Sequence, residues 1–387
     1  MKESRREFLK GLGAAGAAMA AVSGCTTGSA VPAETVRTNR REDPAVQAAK
    51  AAKLKACRKL GPVITDVEVR TAKNIPGRRA AFYIDDVIYS FEDLARDRPK
   101  SIWNNFYFAA FKEAHEKYGL KVQMNIFYQG DFFYGVDSAK FTLAKMPDLW
   151  KDEFQAAKDW LRFGFHSYSE FPDYPWINAS YAEIKEMWRL LSSEVERFAG
   201  PGMFAKAVTP HWGPMSKEGC VALKDCGVKA IWCSFGDRYE YSGDRSVLPY
   251  LHGQRIEERR KPETAMFWRA AGGEDISVSA CGYNHLSSDQ SSVTDGTWSW
   301  LHDKATGCNF MRFGCGAPCL NLYDLKDIPA RMQKVMNKDF IIHATHEEYW
   351  FPRYFAYQPD SKEKLMTACK IVHDAGIPYC FIEDKIN

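Results

Sequence analysis

The sequence predicts an α/β fold in which parallel strands and helices take turns, closed as a barrel or laid out as an open sheet. Three observations carry this. From Arg79 to Cys233 short apolar runs alternate with stretches of helical spacing, and the rhythm returns from Ile328 to Ile382. That order implies parallel strands joined by right-handed crossovers. Four apolar runs stop at or just before ionisable residues: Ala80–Ile84 at Asp85 and Asp86, Arg162–Phe165 at His166, Phe204–Val208 before His211, and Phe340–Ile342 at His343. Strand ends bearing such groups are what a barrel or open α/β sheet presents at its active face. Finally, 387 residues suffice for one large domain, or two small ones, with a sizeable core.

Taken in order, the chain starts with Ser4-Arg5-Arg6-Glu7-Phe8-Leu9-Lys10, which has the twin-arginine form. The weakly apolar run Gly11–Val22 follows and is too short for a bilayer, which needs about 20 residues. Val22-Ser23-Gly24-Cys25 has the form of a lipoprotein cleavage box with Cys25 as the acylated residue. Residues 1–25 are therefore expected to be a signal peptide. The expected outcome is export through the twin-arginine pathway, to the periplasm or outer envelope, with a lipid on Cys25 as membrane anchor.

Residues 26–77 are expected to hold a linker and an N-terminal helix. The stretch 26–42 is small and polar, and Asp43-Pro44 opens an Ala/Lys-rich helix running to about Lys59, with Asp as cap and Pro at the first position. Residues 78–387 form the main domain. Arg79–Ile84 reads as a strand into Asp85-Asp86. Trp103–Lys117 reads as a helix stopped at Tyr118-Gly119. Leu120–Phe127 alternates as a strand, and 128–148 is loop-rich. The helix Lys151–Leu161, the strand Arg162–Phe165 and the amphipathic helix Tyr181–Phe198, closed by Gly200, follow. Next come the strand Phe204–Val208, a helix from Ser216 to Asp225 ended by Gly227, and the strand Val228–Cys233. Residues of about 235–300 break the rhythm and are expected to be an irregular insertion that shapes substrate access. The helix Ile328–Asn337, the strand Phe340–His343, the helix Lys362–Asp374 and a last strand Tyr379–Ile382 complete the domain.

Charge excludes one class of partner. With 52 Lys and Arg against 49 Asp and Glu the chain is near neutral, so no nucleic-acid partner is expected. Eleven Trp and eighteen Tyr suit sugar rings and cores equally well. Eleven Cys are irregularly spaced; the cluster Cys308, Cys315 and Cys319 lacks the paired spacing of a zinc ribbon. Cys220, Cys226 and Cys233 read as small core residues.

The strand-end residues carry the chemistry. Asp85 and Asp86 are adjacent where the chain turns out of a strand, so both can converge, one ligating a metal and the other taking a proton from water. His166 and Glu170 are four apart, on one side of any helical turn, and suit a first-row divalent ion. His211 lies in Pro210-His211-Trp212-Gly213, a rigid loop in which Trp212 either stacks on a sugar or fills the core. His343 ends a strand and suits a general acid. His346, three residues on, faces the other way on a continued strand. Tyr168, Trp212, His346, Glu347 and Asp237 are the candidates for substrate contact.

These pieces together resemble the polysaccharide-deacetylase (NodB-homology) superfamily. The segments that carry the resemblance are Phe82-Tyr83-Ile84-Asp85-Asp86, His166-Ser167-Tyr168-Ser169-Glu170, Thr209-Pro210-His211-Trp212-Gly213 and Ile341-Ile342-His343. The resemblance implies a deformed (β/α)7-type barrel over 78–387. It implies a hydrolase that removes N- or O-acetyl groups from a polysaccharide or glycan, with a divalent metal, Zn²⁺ or else Mn²⁺ or Fe²⁺. It implies Asp85 as general base, Asp86 and His166 as metal ligands and His343 as general acid. Two positions depart from the family pattern: Glu170 stands where it has a second histidine, and Thr209 where it has an arginine. Glu170 or His211 is then the expected further ligand.

Two other functions fit the same residues. Paired carboxylates, Asp85 or Asp86 with Glu170 or Glu347, suit glycoside hydrolysis on the same barrel. A degenerate barrel would instead give a non-catalytic, lipid-anchored glycan-binding protein.

Overall fold

Helix-covered parallel strands put their inward-facing residues on the same side as the candidate site. The structure, a computed structural model, describes residues 59–73, 77–130, 141–170, 175–240, 266–269, 276–279, 282–312, 319–354 and 356–386, with single helical residues at 48 and 52. All belong to one compact unit, Ala45–Asn387. The expected signal peptide with Cys25, the linker and nearly all of the helix from Asp43 lie outside the described residues.

The elements in chain order are β1 (Lys59–Leu60), β2 (Val67–Thr71), β3 (Arg79–Val87), α1 (Tyr89–Asp97), α2 (Phe106–Tyr118), β4 (Val122–Phe127), α3 (Lys151–Ala156) and β5 (Leu161–Ser167). They continue with α4 (Tyr181–Ala199), β6 (Ala207–Val208), α5 (Lys217–Asp225), β7 (Ala230–Trp232), β8 (Ser234–Phe235), β9 (Asp237–Glu240), β10 (Met266–Arg269) and β11 (Ile276–Ser279). The last are β12 (His285–Leu286), α6 (Ser288–Thr294), β13 (Ser299–Asp303), β14 (Asn309–Met311), α7 (Ile328–Gln333), β15 (Phe340–His346) and α8 (Ser361–Asp374).

Four strands, in the order β15-β3-β4-β5, form a wholly parallel sheet. A five-stranded sheet, β2-β13-β14-β7-β6, is parallel across β14-β7-β6 and antiparallel at β13. A parallel bridge between Phe163 and Phe204 links β5 to the segment leading into β6. The protein is thus a mixed α/β fold with parallel sheets.

Alternation along the strands sorts the core into two faces. Phe82 and Ile84 of β3, Val122, Met124 and Ile126 of β4, Phe163 and Phe165 of β5 and Ile341 of β15 meet the helices in one large apolar cluster. That burial on both sides is why β4 is buried at all six positions. The opposite face holds Ala81, Tyr83, Ala207, Ala230, Ile342 and Ala344, with Phe340 and Ile382. Asp85, Asn125 and His166 follow on this second face by the two-residue period. The helices end where local chemistry dictates: Asn105 caps α2 through its side chain and left-handed Gly119 closes it, while Ser180 and Glu183 form a capping box on α4.

Several boundaries differ from expectation. The helix α1 was not anticipated, because its cap comes from a distant residue described below. The expected helix from Trp103 splits into a 3₁₀ turn, Ile102–Asn104, and α2. The expected helix Lys151–Leu161 stops at Ala156, and β5 starts at Leu161. β15 runs on to His346, three residues past the expected end. The stretch expected as a last strand contributes one bridge, Ala80 to Tyr379, and a 3₁₀ turn, Ile382–Lys385. Within 235–300, β9, β10 and β11 form an antiparallel sheet with β1, and β13 joins the five-stranded sheet.

Candidate metal centre

Two adjacent aspartates on a regular strand would face opposite ways. β3 avoids this with a bulge: its register on β4 shifts between Ile84 and Val87, and Asp86 takes a left-handed backbone with φ 66°. A left-handed non-glycine residue is costly, and Asp is among those that tolerate it. As a result Asp85 and Asp86 both approach His166, at 3.8 and 3.0 Å.

His166 is held from two sides. Its Nδ1–H donates to the Thr209 carbonyl at 2.8 Å, and its own carbonyl accepts the Trp176 indole N–H at 2.8 Å. His211 is set by the loop Pro210–Gly213, which closes with Gly213 N–H to the Pro210 carbonyl at 2.8 Å and places Trp212 at φ 61°. A Cβ on Gly213 would lie 2.3 Å from the Trp232 ring, so only glycine fits there. His211 Nε2–H donates to the Glu170 carbonyl at 2.9 Å. Buried Asn284 braces the loop, donating to the carbonyls of Gly213 and Trp232 and accepting from Met215 N–H.

Each imidazole therefore spends its ring N–H on a backbone carbonyl. The nitrogens that remain, His166 Nε2 and His211 Nδ1, turn lone pairs toward one another at 3.0 Å. Asp86 Oδ1 completes the group at 3.0 Å from His166 and 3.4 Å from His211. Three electron-rich atoms in mutual contact repel unless a cation lies among them. A tetrahedral Zn²⁺ with bonds of about 2.0–2.1 Å separates its ligand atoms by about 3.3 Å, which these spacings match. A ligating histidine that donates its other N–H to a carbonyl is the usual supporting arrangement. Asp86, His166 and His211 form a buried three-ligand group suited to a divalent metal ion. Burial acts to raise the Asp86 carboxyl, but the neighbouring His166, His211 and His346 outweigh it and hold the group well below the usual carboxylate range. For Asp85 the balance is opposite: burial dominates and raises it, with His166 and His346 opposing.

The other expected residues fall at different distances from this group. Glu170 contributes its carbonyl to His211, while its carboxylate stands 3.8 Å from His211 Nε2, outside the three-ligand group. His346 approaches Asp86 Oδ2 at 3.9 Å, its Nδ1 held by Asn321 Oδ1 at 3.1 Å and beside Cys319 Sγ at 3.4 Å. His343, expected as general acid, occupies the other face of β15. It packs against Phe82 at 4.7 Å and bonds the Tyr379 hydroxyl at 2.9 Å, because three residues separate it from His346 on an unbroken strand. Burial pushes the His343 imidazole down to about 3.

Glu347, expected at the substrate, is fully buried, and its carboxylate accepts the backbone N–H groups of Ile88, Tyr89 and Ser90. It caps α1 in place of a local side chain, since Ile88 at the N-cap offers none. Asp237 pairs with Lys59 at 3.0 Å, where β1 meets β9. Tyr168 packs on Tyr128 at 5.3 Å, and Trp212 lies 5.5 Å from His211. A cavity beside the metal group is lined by Asp86, Glu170 and Glu348 with Tyr89, Phe127 and Tyr354. Glu348 is raised well above its ordinary range, first by burial and then by the charges of Asp86 and Glu170.

Residues missed from sequence include Gln123, Asn125, Trp176, Asn284 and Glu348. A signal existed for the first two: Val-Gln-Met-Asn-Ile-Phe sets two amides on one face of a strand whose other face is wholly apolar.

No protein-family model matches the chain, and no curated protein does. Among solved structures it is similar to a CE4 family pseudoenzyme from Bacillus anthracis, at 10% identity and TM-score 0.37, over 81% of this chain and 66% of that one. Two mutants of that pseudoenzyme are also similar. One is at 10% identity and TM-score 0.37; the other, with restored enzymatic activity, is at 9% and 0.33; each match covers 81% of this chain and 68% of the mutant. The chain thus spans about two thirds of these structures. At such TM-scores the likeness carries no weight for fold or function.

Proposed function

We propose that this protein is a metal-dependent hydrolase that removes N- or O-acetyl groups from a glycan. The observation that carries the reading is the convergence of Asp86 Oδ1, His166 Nε2 and His211 Nδ1, while the other nitrogen of each imidazole is turned to a backbone carbonyl. Two nitrogens and one carboxylate oxygen suit Zn²⁺ first, with Mn²⁺ or Fe²⁺ as alternatives. An ion held there would supply Lewis-acid polarisation of an acyl carbonyl and a lowered pKa for water. The motif resemblance supports the acetylated glycan as substrate, and supports reading the parallel strands as a deformed (β/α)7-type barrel.

Asp85 serves as general base. It lies on the same face as the ligands, its carboxylate 3.8 Å from His166, and burial has raised its affinity for a proton. His346 serves as general acid, protonating the leaving amine or alcohol. Its Nδ1 is oriented by Asn321 and its Nε2 faces the metal group. The cavity with Tyr89, Phe127 and Tyr354 offers aromatic faces to a sugar. Glycoside hydrolysis through Glu347 is disfavoured, because that carboxylate is occupied by three backbone N–H groups.

Acetate release from N-acetylglucosamine oligomers and O-acetylated xylan, with protein loaded with each metal in turn, tests the reading. Release that requires the metal and falls by about 10²–10⁴-fold in Asp85→Asn supports it. Absence of release with all three metals overturns it. We also propose, from Ser4–Lys10 and Cys25, an exported lipoprotein; loss of palmitate labelling in Cys25→Ala is the check. Among the described residues no helix is long and apolar enough to cross a membrane.

A further inference from the structure

β4 turns Gln123 and Asn125 to the same side as Asp85, and both amides are buried. Asn125 Nδ2 donates to Asp85 Oδ1 at 2.7 Å and to Thr209 Oγ1 at 3.3 Å. Asn125 Oδ1 accepts from Gln123 Nε2 at 2.7 Å, and Gln123 Nε2 also donates to the Ala207 carbonyl at 2.9 Å. The direction of this ladder is fixed. Flipping Asn125 would set its oxygen against a carboxylate oxygen and its NH₂ against the NH₂ of Gln123.

The neighbouring strand is shaped to admit the ladder. Gly164 pairs with Asn125 in the β4–β5 register. A Cβ there would lie 2.3 Å from Asn125 Oδ1 and 2.8 Å from Gln123 Nε2. Gly164 has no positive φ, so its missing side chain answers a need for space, not for an unusual backbone.

We infer that Asn125 is a positioning residue for the base: it fixes the carboxylate of Asp85 and takes its own orientation from Gln123 and from the space left at Gly164. The inference rests on the hydrolase reading for the role of Asp85. With Oδ1 held by the amide, Oδ2 is the atom that accepts the proton. Loss of a residue acting this way lowers kcat through Asp85 and leaves metal and substrate binding intact.

The test is a double-mutant cycle in metal-loaded full-length protein with Asn125→Leu, Asp85→Ala and the pair. A hydrogen bond to a charged group is worth about tenfold to a hundredfold in rate when it orients a reacting group. Asn125→Leu should lower kcat by that factor with KM and metal content unchanged, and add less than about twofold to Asp85→Ala. Gln123→Met, one step further from Asp85, should lower kcat by about twofold to tenfold and serves if Asn125→Leu does not fold. An unchanged kcat, an equal loss in both backgrounds, or lost metal overturns the inference. If the wild type binds metal but releases no acetate, the function reading fails alone. The inference is then decided by exchange of the Asn125 side-chain amide protons. Protection in wild type with at least about tenfold faster exchange in Asp85→Ala upholds it, and equal rates overturn it.

Discussion

Glu347→Ala separates a structural carboxylate from a substrate-binding one. The wild-type side chain accepts three buried backbone N–H groups at the start of α1, including Ser90 N at 3.0 Å. Truncation orphans all three. A buried donor left unsatisfied costs about 1–3 kcal/mol, and the three share one acceptor, so their costs overlap. The overlapping losses put the expected cost at about 2–4 kcal/mol. Against a total stability of about 5–15 kcal/mol the variant remains folded but is plainly weakened. Urea unfolding followed by far-UV circular dichroism reads this directly: the midpoint should fall while the slope m stays the same. Glu347→Gln retains an acceptor and should lose about half as much. A loss below about 1 kcal/mol for Glu347→Ala, or a raised KM with unchanged stability, would refute the capping role.

The remaining predictions concern nearby groups. His346→Gln should lower kcat on the acetylated substrate by about 10²–10⁴-fold with metal retained, whereas His343→Phe should leave kcat within about threefold; the reverse pattern in steady-state kinetics contradicts the general-acid assignment. Glu170→Gln should keep its metal by elemental analysis, because only the Glu170 carbonyl bonds His211 at hydrogen-bonding distance. Acid should destabilise the fold through His285, which is buried, bonded to Ser234 and Gly236, and pushed down to about 4 by burial, with the Gly236 carbonyl opposing. Its folded pKa lies below the unfolded value of about 6.5, so the unfolded chain binds the proton first. The associated stability is complete above about pH 6.5 and falls by up to about 3 kcal/mol toward pH 4. Urea midpoints at pH 7, 5.5 and 4.5 should show this decline, with a shallower slope in His285→Gln.

How much of this was legible in the sequence depends on the range of the interactions. Strand ends at Asp86, His166 and His211 were visible because short apolar runs announce parallel strands locally. The capping of α4 was visible for the same reason, since Ser180 and Glu183 are three residues apart. The helix α1 was not, because its cap is Glu347, some 258 residues away. The convergence of Asp85 and Asp86 depends on a bulge, which no local pattern specifies. The roles of His343 and His346 turned on strand length: ending β15 at His343 placed that residue at the site, and three more residues of strand reversed the two faces. Glu170 looked like a ligand under an assumed helical turn after β5. The chain bends there instead, and Glu170 reaches the site through its main-chain carbonyl, which accepts the His211 N–H in place of ligating the ion.

Asp86, His166 and His211 are expected to hold a divalent ion. Isothermal titration of chelator-treated protein with Zn²⁺, with metal counted by elemental analysis, tests it most directly. One ion per chain is expected in the wild type and in Glu170→Gln, with affinity lowered by at least about a hundredfold in Asp86→Ala, His166→Ala and His211→Ala. No specific binding by the folded wild type, or binding unaffected by all three substitutions, would contradict it.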